Sequence, residues 1–128
     1  MVTVSRDGAC KIWRATLQDI AAGEDHLICV KSFSPFDGTS ITAVDIASVS
    51  MELRWVVAVG SEKGDMKVYR LDESLTEASL LLAVPAHHSH GATVRRLRWR
   101  ARALSGDQLE WASCGEDRTL RVHRLMMQ

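Results

Sequence analysis

Three stretches of the chain align with one another without a gap. They are Ser5-Arg-Asp7-Gly-Ala-Cys-Lys-Ile-Trp13, Ser61-Glu-Lys63-Gly-Asp-Met-Lys-Val-Tyr69 and Gly115-Glu-Asp117-Arg-Thr-Leu-Arg-Val-His123. Each begins on a small residue, passes through a tight turn, and ends on a basic residue, a β-branched residue and a ring. The three rings stand 56 and 54 residues apart. A second pattern, apolar-x-x-apolar-x-apolar, leads into two of the segments as Ile41, Val44, Ile46 and as Val94, Leu97, Trp99. Self-similarity at such a period means a propeller or a solenoid, in which each repeat buries one face against its neighbour.

The local signal is β throughout. Short apolar runs rich in β-branched residues occupy 27–30, 41–47, 55–59, 66–71, 80–84, 93–99 and 120–125, with Gly and Asp clusters between them. Runs of this kind predict antiparallel hairpins. Polar and apolar residues alternate in Lys67–Leu71 and Arg121–Leu125, which sends one face inward and one outward. Trp55–Val59 is continuously apolar, as expected of a strand covered on both faces. Residues 14–24 and 72–79 read as connecting loops rather than helices. Four strands per repeat fit a propeller blade.

Composition narrows the function classes. Sixteen basic and sixteen acidic residues leave no formal charge, which argues against bulk electrostatic binding of nucleic acid. No apolar run approaches the roughly 20 residues that span a bilayer, and the first residues lack the pattern of a secretory signal. Cys10, Cys29 and Cys114 are odd in number and widely spaced, so they predict reduced, mostly buried thiols of an intracellular protein rather than a disulfide framework or zinc site.

The repeated segments resemble the WD-repeat family. That resemblance implies a buried network in each blade, made by a loop His, a strand hydroxyl, the turn Asp and a strand Trp. Asp7 and Trp13 match it, with Ser5 as the hydroxyl partner, and His90 and Asp117 match it in the last repeat. Lys63, Tyr69 and His123 depart from it, so their blades are expected to be held by other contacts. Within WD-repeat proteins, Trp55–Gly60 with Gly64–Tyr69, and Ser89–Trp99 with Trp111–Leu125, are similar to the last two blades of the Elongator complex protein 2 family. His123 is what that family carries at its position. The resemblance implies a non-catalytic scaffold, without a cofactor, in cytoplasm and nucleus. It supports wobble-uridine modification of tRNA by docking a large scaffold subunit and a catalytic acetyltransferase subunit, with tRNA touched only indirectly.

The expected architecture is therefore an all-β, WD40-type propeller fragment of about two and a half four-stranded blades whose ring is not closed. Residues 1–40 form a partial blade, 41–88 a complete one, and 89–128 a last blade without its outer strand. Two unpaired sheet edges follow, and unpaired edges are pairing templates, so the isolated chain is expected to self-associate or to stay partly unfolded.

Other sites compete with this reading. His87, His88 and His90 form a cluster that could ligate a metal, against the plainer view of a solvent-facing loop with one structural His. Arg95, Arg96, Arg98, Arg100 and Arg102 form a strip that could contact RNA or a partner, against a solvated strand paired with local acids. Ser5, Ser61 and Ser113 lack a nucleophile elbow, and Cys114 reads as an inert core thiol. A WD-repeat adaptor of a ubiquitin-ligase or chromatin complex is the nearest alternative, and a small metal-dependent enzyme using the three histidines the more distant one.

Overall fold

One backbone position takes a left-handed conformation in all three repeats: Gly8 at φ 85°, Gly64 at φ 97° and Arg118 at φ 63°. Each time its N–H donates to the carbonyl three residues back, on Ser5, Ser61 and Gly115 respectively. Each of those three residues in turn donates its N–H four residues forward, to Ala9, Asp65 and Thr119. The repeat is thus one hairpin turn used three times, closed by a residue at positive φ. A side chain on Gly8 or Gly64 would also collide with backbone, at 2.7 Å from Gly38 and 2.6 Å from Ala92.

The computed structural model describes residues 1–15, 27–49, 54–100 and 108–126. It holds three antiparallel sheets. Sheet 1 contains β1 (Val2–Val4), β2 (Cys10–Arg14) and β3 (Ile28–Phe33) in that order. Sheet 2 contains β4 (Ile41–Val49), β5 (Arg54–Ser61), β6 (Met66–Leu71) and β7 (Ala78–Val84). Sheet 3 contains β8 (Val94–Trp99), β9 (Gln108–Gly115) and β10 (Leu120–Met126), with β10 at one edge. The only helical element among the described residues is a 3-10 turn over Ala86–His88, so no helix there is long and apolar enough to cross a membrane.

Sheet 1 packs on sheet 2, and sheet 2 on sheet 3, and the ring is not closed. Cys10 and Ile12 of β2 meet Ile41, Val57, Val59, Tyr69 and Leu71. Ala58, Met66 and Val68 meet Val94, Leu97 and Trp111. Val56, Val57, Ala58 and Val59 are each at most 1% exposed, so β5 is covered on both faces. Burying one such valine contributes roughly 1.5–3 kcal/mol.

Alternation is regular in β10, but its sense is inverted. Arg121, His123 and Leu125 are the half-buried row, whereas Leu120, Val122 and Met126 are exposed. In β6 a bulge between Val68 and Tyr69 breaks the period, so both side chains are buried. Another bulge between Val94 and Arg96 leaves Arg95 and Arg96 both exposed. The thiols correct the expectation of a shared core fate. Cys10 is buried and pushed up to about 12 by that burial, but Cys29 is exposed and Cys114 half-buried on the outer face of sheet 3.

Candidate functional site

The densest polar constellation joins the loop before β8 to β9, β10 and the turn between them. His90 places Nδ1 at 2.9 Å from Oδ1 of Asp117 and Nε2 at 2.7 Å from Oγ of Ser113. The same hydroxyl lies 2.8 Å from Nε2 of His123. Asp117 also accepts from the backbone N–H and the hydroxyl of Thr119. These partners fix the protons in the neutral state. A carboxylate only accepts, so Nδ1 of His90 donates to it, and Nε2 must accept the Ser113 proton. Nε2–H of His123 then donates to Ser113. Burial alone would raise the Asp117 carboxyl, but the hydrogen bonds from His90 and Thr119 outweigh it and hold the group at about 2. His123 titrates below its ordinary 6.5, first because it is desolvated and then because His90 and Arg121 disfavour a second positive charge.

His123 therefore does the work assigned to an indole, contrary to the expectation that its blade relies on other contacts. Sheet 1 shows the indole version: Nε1–H of Trp13 donates to Oγ1 of Thr3 at 2.8 Å. Thr3 and Ser113 occupy the same repeat position, four residues before Asp7 and Asp117. The hydroxyl partner of Trp13 is thus Thr3 and not Ser5, whose own hydroxyl turns to the Asp7 carboxylate. That bond, followed by one from the Ala9 N–H, holds Asp7 below the usual carboxylate range. His123 also stacks on Trp111, with ring centroids 5.0 Å apart. In sheet 2 the hydroxyl position is Val59, and Tyr69 instead meets the edge of the Phe33 ring at 5.0 Å. Its turn is closed by Ser61, which bonds the Asp65 carboxylate and accepts from the Lys63 N–H.

Asp117, His90 and Ser113 lie in the order of a hydrolase relay. A nucleophile must reach substrate, however, and Ser113 is 1% exposed with its oxygen already bonded to two imidazoles. The arrangement can orient and hold the strands, and the buried hydroxyl has no approach for an acyl group.

The histidine cluster is not brought together. His87 and His88 are exposed neighbours with rings 4.2 Å apart, whereas His90 is buried with both ring nitrogens bonded. No metal-holding group of three His, Cys, Asp or Glu occurs among the described residues. The arginines are divided. Arg95 pairs with Glu116, Arg98 lies 3.7 Å from Asp45, and Arg100 lies 3.1 Å from Glu110. Glu110 also binds Arg124 at 2.9 Å, and hydrogen bonds from Arg124 and then Arg100 keep its carboxyl below the ordinary value. Arg96 is exposed without an acidic partner among the described residues, and Arg102 lies outside them.

A clamp that sequence reasoning missed joins sheets 2 and 3. Asp45 of β4 accepts the Trp99 backbone N–H at 2.8 Å, and its own carbonyl accepts the Trp99 indole N–H at 3.1 Å. Thr42 adds a hydrogen bond of 2.6 Å to the carbonyl of Val94. The inner strands are thus tied together by side chains bonded to backbone groups of the neighbouring sheet, a pairing that leaves no motif in the sequence.

Searched against models of known protein families, the chain matches none. Individual proteins do match. It is 29% identical over 147 residues to Elongator complex protein 2 of Rattus norvegicus, which takes in 96% of this chain and 16% of that protein. It is 30% identical over 129 residues to Elongator complex protein 2 of Drosophila melanogaster, covering 98% of this chain and 15% of that protein. The chain is a relative of Elongator complex protein 2. A match to Elongator complex protein 2 of Homo sapiens, 29% identical over 102 residues, takes in 69% of this chain. The chain spans about one sixth of the length of the first curated relatives it matches.

Proposed function

We propose that this chain serves as a rigid, non-catalytic docking element of an Elongator-type assembly, in cytoplasm and nucleus. The observation that carries the reading is that the chemistry-bearing side chains are spent on one another. The Ser113 hydroxyl, both imidazoles and the Asp117 carboxylate close a buried network. Likeness to Elongator complex protein 2 along 98% of the chain supplies the assembly. The docked partners are the large scaffold subunit and the catalytic acetyltransferase subunit, and the supported reaction is modification of tRNA wobble uridines by that other subunit. Arg96 is the exposed cation best placed to touch a partner, because three of its neighbours in the strip already face local acids.

The test is recovery of the other Elongator subunits on the tagged chain, alongside mass spectrometry of wobble uridines. Arg96→Glu should lower subunit recovery and modification together. Ser113→Cys should leave both unchanged if the network remains closed. Loss of modification with full subunit recovery would overturn the docking role.

A further inference from the structure

We draw no further inference here: the strongest candidate, the uncharged outer edge of sheet 2 along β7 with Leu80 52% exposed, is interrupted by a bulge at Leu81, and nothing among the described residues shows what covers it.

Discussion

His90 and His123 share a single hydroxyl, each placing Nε2 within 2.8 Å of the Ser113 oxygen. One serine has one proton to give. It is given to His90, and the bond with His123 must run the other way. Both rings therefore cannot be charged without leaving the serine proton pointing at no acceptor, whereas a proton added at Nδ1 of His123 alone leaves its bond to Ser113 in place.

This arrangement makes sheet 3 acid-sensitive in two steps. His123 binds its proton more weakly folded than unfolded, so its contribution is complete above its ordinary 6.5 and falls as pH drops below that value. Asp117 is held at about 2 against an ordinary 3.8, so its contribution is complete above about pH 4 and is lost as pH falls from there through 2. Urea titrations from pH 8 to pH 3 should show both losses. His123→Trp, which can donate to Ser113 as Trp13 donates to Thr3, should remove the first and leave the second. A pH dependence between 7 and 5 unchanged by that substitution would mean that His123 is not the group titrating there.

Ser113→Ala should be costly for its size. It strips a partner from the buried His90 ring and the half-buried His123 ring at once, and an unsatisfied buried polar group costs about 1–3 kcal/mol. Ser5→Ala, at an exposed turn, should cost less than Ser113→Ala in the same denaturation assay.

Arg118 sits at φ 63°, where the other two repeats have glycine. A side chain in that region costs about 1–2 kcal/mol, so Arg118→Gly is expected to raise the midpoint of thermal unfolding. The outcome to look for is a gain of about 1 kcal/mol, reduced by the extra freedom glycine has in the unfolded chain.

Gly60 of β5 lies against Val94 of β8, and a Cβ there would come within 2.7 Å of the Val94 side chain. Gly60→Ala should destabilise by about 1–3 kcal/mol through overpacking. Val94→Ala in the same chain should recover part of that loss, and a double-mutant cycle would report the coupling. Strictly additive effects would mean that the two sheets do not meet through this pair.

The repeat made most of the architecture legible. Three alignable turns led to three sheets because each turn needs the same left-handed residue and the same backbone bonds. The continuous apolar run was readable as a strand covered on both faces for a similarly local reason, which holds for Val56–Val59 but not for Trp55, 39% exposed. The network was harder to read. Thr3 and Ser113 are ordinary residues whose role appears only when the partner ring is placed, so Ser5, nearer the turn, was the easier choice. His123 does not look like an indole in a list of letters, although its Nε2–H can do the same job. The strip of arginines could not be sorted from spacing, because the bulge after Val94 changes which side chains point outward. The acids that pair with Arg98 and Arg100 lie on other strands, with Asp45 in a different sheet altogether.

The burial of β5 on both sides has a consequence for motion. Sheet 1 and sheet 3 can each peel away while the middle sheet keeps one of its two covers, so the molecule should fray from its extremities. Amide hydrogens at Val57 and Val59 would then exchange with solvent most slowly of all, reporting only on the rare event in which the entire structure opens.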